Sequence, residues 1–266
     1  MSPAGGTGGR GGWDLGAGLE GRGAIVTGAC GAIGREVAAA LAAAGMSVAA
    51  VDLDEATLRS LVSRLGGRGR HLAIAADLRD LDAIEPLVER AVAGLGRLDV
   101  LAHVAGVIRR VADLDDVTEA DWELQEQVNL RSTFFLGRAC AQAMRARGDG
   151  GAIVNFTSQG WQSGGYGGSA VYAAMKGGVV SLSRGMARTC APDGIRVNCV
   201  APGMVDSPML RSDVREQQLE ELRTQIPLGR FADPAEMAGA VVFLASDHAS
   251  YITGATLNVS GGHLMY

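Results

Sequence analysis

The chain has 266 residues, of which 47% are hydrophobic and 20% charged, a composition that belongs to folded globular proteins rather than disordered ones. A formal charge of −5 with no concentrated basic patch excludes a nucleic-acid surface, because phosphate backbones need one. The longest apolar run, residues 37 to 51, is split by Gly45 and Ser47 and is too short for a membrane span, and no basic start precedes an apolar signal core, so a cytoplasmic protein is expected.

Residues 1–20 contain Gly5, Gly6, Gly8, Gly9, Gly11 and Gly12, offer little side chain to bury, and read as a flexible tail ahead of a single domain over 21–266. From there short apolar runs alternate with longer Ala- and Leu-rich stretches. Strands are expected at 24–27, 47–51, 71–75, 99–102, 152–157, 196–200 and 256–259, and helices over 33–44, 55–65, 80–93, 119–146, 170–189, 208–224 and 234–245. Thr118 with Asp121 resembles a capping box, and Asp233-Pro234 with Glu236 places a cap, a first-turn proline and an acid at a helix start. Continuously apolar strands alternating with helices imply an α/β fold, a doubly wound (Rossmann) seven-stranded parallel sheet between two helical layers. Cys30, Cys140, Cys190 and Cys199 form no C-x-x-C pair and the four histidines lack ligand spacing, so no metal site is expected.

The first strand runs into Thr27-Gly28-Ala29-Cys30-Gly31-Ala32-Ile33-Gly34 and then a helix. Gly28, Gly31 and Gly34 permit a tight turn and close backbone approach, and the helix start at Ile33 presents N–H groups to a pyrophosphate. Asp52 ends the second strand, where a carboxylate accepts from ribose hydroxyls and repels a 2′-phosphate. Neither Gly31 nor Leu53 is basic, so NAD is expected over NADP.

Further on, Tyr172 and Lys176 stand four apart and share one face if 170–189 is helical. A free tyrosine ionises near pH ~10. An adjacent cation favours its anion, which makes this pair a candidate for exchanging a proton with an alcohol. Ser158 lies one strand-and-loop upstream, across the glycine-rich stretch 160–168.

Together these residues resemble the short-chain dehydrogenase/reductase family in its single-domain branch. Thr27-Gly28 to Gly34 is similar to the family's T-G-x-x-x-G-x-G, Asp77-Leu78 to its adenine-side aspartate, and His103-Val104-Ala105-Gly106 to a divergent N-N-A-G. Asn129 resembles the helix asparagine, Ser158 the serine after the fifth strand, and Tyr172-x-x-x-Lys176 the catalytic pair; Pro202-Gly203 and Gly261-Gly262 complete the order. The resemblance implies an enzyme that moves a hydride between nicotinamide C4 and a secondary alcohol or ketone. It assigns Asn129, Ser158, Tyr172 and Lys176 to catalysis: Tyr172 as acid/base, Lys176 lowering its pKa and holding ribose, Ser158 orienting the carbonyl, and Asn129 holding a water toward solvent. It further implies cofactor contacts at Asp77, Leu78, Ala105, Gly106, Pro202, Gly203, Val205 and Ser207, and a homotetramer. The departures are Ala32 for a glycine, His103-Val104 for two asparagines, and a Ser158-to-Tyr172 spacing one residue longer than usual. Substrate-lining residues are expected in 107–110, 159–166 and 206–210, with Trp161, Tyr166 and Met209 as an apolar wall, and the C-terminal Gly261–Tyr266 is placed to reach a neighbouring subunit. The alternatives are a 3-oxoacyl thioester reductase of the same family and a non-catalytic dinucleotide-sensing protein. A methyltransferase would share the glycine turn and Asp52 but has no need of Ser158, Tyr172 and Lys176 in register.

Overall fold

A computed structural model of the chain describes residues 14–212 and 216–266. Seven parallel strands form one sheet: β1 (Gly23–Thr27), β2 (Ser47–Asp52), β3 (His71–Ala75), β4 (Val100–His103), β5 (Gly151–Phe156), β6 (Ile195–Pro202) and β7 (Thr256–Val259), in the order β3-β2-β1-β4-β5-β6-β7. The order reverses beside β1, which puts the crevice between the carboxyl ends of β1 and β4 at the switch point where such sheets bind ligands. Successive side chains of a strand face opposite sides of the sheet. Ala24 and Val26 accordingly join the core under α1 (Ala32–Ala43) and α10 (Pro234–Ala245), while Ile25 joins the opposite core under α3 (Ile84–Leu95), α5 (Ser132–Arg147) and α7 (Ala170–Cys190). That two-sided burial is why the strands are apolar throughout.

The other helices are α2 (Glu55–Arg64), α4 (Glu119–Glu126), α6 (Gly160–Ser163), α8 (Pro208–Arg211) and α9 (Glu216–Thr224). Both expected capping boxes form, Thr118 with Asp121 and Asp233 with Glu236. The single helix expected over 119–146 is interrupted by a π-helical turn at Gln127–Arg131, and that over 208–224 is divided into α8 and α9. None of the described helices is long and apolar enough to cross a membrane.

Residues 1–13 of the expected tail lie outside the described residues. The remainder of it, 14–20, is a correction to the sequence reading: Leu19 is wholly buried, the Ala17 carbonyl accepts the Asp247 N–H at 3.0 Å, and the His248 ring bonds the Asp14 carbonyl at 2.7 Å. One leucine supplies the burial that the glycines before it do not.

Candidate active site

The chain leaves β1 through Gly28 at φ 64°. A Cβ there would lie 2.8 Å from Ala105 Cα, and one on Gly34 would overlap the Gly28 carbonyl oxygen, so packing of the turn against α1 and the end of β4 fixes both glycines. Gly31 differs, since its Cβ would meet only that carbonyl, at 3.2 Å. It is exposed at the N-cap of α1, where no side chain caps the helix. The N–H groups of Ala32, Ile33 and Gly34 therefore have no acceptor within the helix, and its partial positive end is open. This cradle fits a pyrophosphate.

Asp52 accepts the N–H groups of Cys30 at 2.8 Å and Leu53 at 2.7 Å. It is not the cap of α2, because Asp54 takes that role on the Thr57 N–H at 2.8 Å. Each Asp52 oxygen thus retains a lone pair beside the glycine turn. Burial and the Asp52 charge push the Cys30 thiol up to about 11, which keeps it protonated. Asp77 is less free: Arg79 grips both its oxygens, at 3.0 Å through Nε and 2.6 Å through Nη2, and holds the carboxyl below its usual range. Leu78, next to it, is buried.

Ser158 follows β5, and its Oγ accepts the Gly160 N–H at 3.1 Å and hydrogen-bonds Tyr172. Lys176, one turn along α7 from Tyr172, is 3% exposed. Its Nζ donates to the Phe156 carbonyl at 2.8 Å and its own carbonyl accepts the Thr157 hydroxyl at 2.7 Å, which ties α7 to the end of β5. The expected lowering of the Tyr172 pKa by Lys176 is corrected here. Burial pushes Tyr172 up to about 12, against an opposing pull from the Ser158 hydrogen bond and the Arg110 charge, while burial brings Lys176 down to about 8. The ammonium sits 5.6 Å from the ring centroid and gives one of its three N–H groups to the Phe156 carbonyl. At neutral pH Tyr172 is therefore protonated.

Asn129 lies within the π-helical turn, an irregularity common at functional sites. Its Nδ2 donates to the carbonyls of Val107 at 2.8 Å and Gln125 at 2.9 Å, and its Oδ1 accepts the Val107 N–H at 3.1 Å. A Cβ on Gly106 would stand 3.0 Å from Asn129 Oδ1 and 3.4 Å from Lys176 Nζ, so the two groups flank Gly106 closely and a side chain there would crowd them.

His103, where the family has an asparagine, is buried between the Thr27 hydroxyl (2.9 Å to Nδ1) and the Ser132 hydroxyl (3.1 Å to Nε2). Ser132 donates to the Val128 carbonyl at 2.7 Å and Thr27 accepts the Ala105 N–H at 3.2 Å. These bonds assign the tautomer: Nε2–H donates to Ser132 and Nδ1 accepts from Thr27. A neutral imidazole thus links β1 to the helix carrying Asn129. Sequence reasoning noted the departure but had no signal for either partner.

A cavity of about 560 Å³ opens beside Ser158 and Tyr172. Ile33, Gly106, Pro202, Gly203, Val205 and Ser207 also line it, whereas Gly28, Gly31, Gly34, Asp52, Asp77, Leu78, Ala105, Asn129 and Lys176 lie outside its lining. The three expected substrate segments all contribute. Of the expected apolar wall, Tyr166 and Met209 are present but Trp161 is not; its indole donates instead to the Tyr266 hydroxyl at 3.3 Å. The C-terminal segment packs on the loop after β5: Gln159 bonds His263 at 2.9 Å and the His263 ring stacks on Tyr166 at 5.9 Å between centroids.

The family model described as enoyl-(acyl carrier protein) reductase matches residues 28–263. The chain is 38% identical over 250 residues to 2-dehydro-3-deoxy-D-gluconate 5-dehydrogenase of Escherichia coli (strain K12), covering 92% of this chain and 96% of that one. It is 38% identical over 250 residues to the (3R)-3-hydroxyacyl-CoA dehydrogenase of Rattus norvegicus, covering 91% and 96%. A crystal structure described as a short-chain alcohol dehydrogenase from Sinorhizobium meliloti 1021 matches with a TM-score of 0.87 at 35% identity, covering 94% of this chain and 98% of that one. Sequence match, strand order and the placement of Ser158, Tyr172 and Lys176 agree: the chain belongs to the short-chain dehydrogenase/reductase family of oxidoreductases, enzymes acting on CH–OH groups.

Proposed function

We propose that the protein is an NAD-dependent oxidoreductase of secondary alcohols and ketones in which Tyr172 is the general acid/base. The observation that carries this reading is the hydrogen-bonded Ser158–Tyr172 pair on the cavity wall. The nicotinamide supplies the hydride acceptor or donor at C4. The protein's own part is the proton and the orientation. Tyr172 exchanges a proton with the substrate oxygen, and the Ser158 hydroxyl polarises and orients that oxygen. Lys176 stands behind the phenol as a nearby cation, and Asn129 holds the proton route toward solvent open beside Gly106. The cofactor contacts are those of the glycine turn, Asp52, Asp77, Leu78, Ala105 and Gly106 on the nucleotide side, and Pro202, Gly203, Val205 and Ser207 on the cavity side.

The NAD preference follows from the Asp52 charge, and kcat/KM is expected to favour NADH over NADPH by about 100-fold or more, with Asp52→Asn narrowing the ratio. A preference of the wild type for NADPH would sink this part of the reading. The named relatives act on different substrate classes, so neither substrate is carried over; a 3-oxoacyl thioester reductase remains the second reading, favoured by the identity to the rat enzyme. A dinucleotide sensor is disfavoured, since all four catalytic positions are filled. Assembly as a homotetramer through α7 and the preceding long helix, in the cytoplasm, is part of the same reading, and the exposed Trp122 and Phe134, at 49% and 40% on α4 and α5, are available to such a contact. Light scattering checks this, and a monomeric mass would refute it.

A further inference from the structure

Among the described residues lining the cavity, Arg110 and Glu221 carry the charge, in different settings. Glu221 is exposed on α9, whereas Arg110 is half-buried on the segment after β4 and faces a mainly apolar wall. The Arg110 guanidinium reaches across to the segment ending α8 and bonds only neutral oxygens there. Nη1 and Nη2 each lie 3.3 Å from the Met209 carbonyl, and Nη1 lies 3.3 Å from both the carbonyl and the hydroxyl of Ser212. Charge-assisted bonds ordinarily measure about 2.7–2.9 Å, so these are loose. The adjacent Arg211 is by contrast paired with Asp206 at 2.8 and 3.0 Å, while no described carboxylate pairs with Arg110.

A half-buried cation facing a mainly apolar cavity, with no counter-ion among the described residues, is poorly compensated, and a ligand that brings the anion repairs this. A planar guanidinium matches a carboxylate with two parallel bonds. Resting on the oxidoreductase reading above, we propose that Arg110 makes the cavity selective for a hydroxy acid or its oxo acid, binding the substrate carboxylate while the carbinol carbon lies at Ser158 and Tyr172. Arg110 is also within electrostatic reach of the Tyr172 phenol. Because one cavity holds both groups, the acid and the carbinol belong to one compact molecule.

The test measures kcat/KM for 3-hydroxybutyrate, threonate and gluconate, each against its primary amide, in wild type, Arg110→Met and Arg110→Lys. Wild type is expected to favour at least one acid over its amide by about 100-fold, Arg110→Met to lose that ratio through a far larger fall on the acid than on the amide, and Arg110→Lys to keep part of it. Equal rates on acid and amide in wild type, or an equal fall on both in Arg110→Met, would overturn the inference and leave the oxidoreductase reading standing, the second outcome marking Arg110 as a tether of α8 only. No turnover of any acid or amide by wild type would overturn the inference, whereas the oxidoreductase reading is decided by turnover of secondary alcohols that carry no acid group.

Discussion

Tyr172→Phe is expected to lower kcat by about 1,000-fold, within the range of general acid–base contributions, while the NADH dissociation constant stays within about twofold of wild type. The substitution removes one hydroxyl and keeps the ring, so the packing of α7 on the end of β5 and the ammonium over the ring face are retained. What is lost is the proton donor on the cavity wall and the partner of the Ser158 hydroxyl. Fluorescence titration with NADH and steady-state rates on the same preparation separate the two effects. A variant that binds NADH and turns over at the wild-type rate would remove Tyr172 from the chemistry.

Acid should unfold the protein early because of His103. The folded imidazole ionises only near pH 3, held down by burial and the Lys176 charge, against an ordinary value of 6.5. Below pH 6.5 the unfolded chain takes up a proton that the folded one refuses, so stability present above that value is lost as pH falls toward 3, at about 1.4 kcal/mol per pH unit. The full loss is on the order of 5 kcal/mol, comparable with the net stability of many domains. Carboxylates held low by their partners, such as Glu236 at about 2 beside Arg230, weaken folding only at lower pH. His263, lowered by burial, contributes a loss of the same sign, so the informative quantity is a difference. Between pH 6.5 and 5, urea unfolding of wild type should lose about 2 kcal/mol more than that of His103→Asn. Equal slopes would mean that His103 is protonated in the fold.

The architecture was legible because two-sided burial writes itself as apolar runs, and all seven strands lie within a few residues of where those runs stand. The breaks were not. Nothing in Gln127 to Arg131 marks a break in the helix, and the π-helical turn there is seen only with the segment after β4, whose backbone Asn129 holds. The catalytic set was legible as ordered motifs, but its electrostatics were not. A neighbouring cation lowers a tyrosine pKa only where its pull exceeds the cost of desolvating the phenolate, and the desolvation of Tyr172 comes from residues distant in the chain. The same holds for His103 with Ser132, and for Gln159 with His263, 104 positions apart. Arg110 read as one of two adjacent arginines; only the fold separates it, in the cavity, from exposed Arg109.

The most direct test of hydride transfer at this site uses NADH carrying deuterium at C4, incubated with the oxo acids that correspond to the hydroxy acids named above, followed by mass spectrometry and NMR of the product. The account predicts deuterium on the carbinol carbon, delivered to one face, and little product from Tyr172→Phe under the same conditions. A reduced product with its new hydrogen drawn from solvent, or deuterated product formed equally fast by Tyr172→Phe, would contradict it.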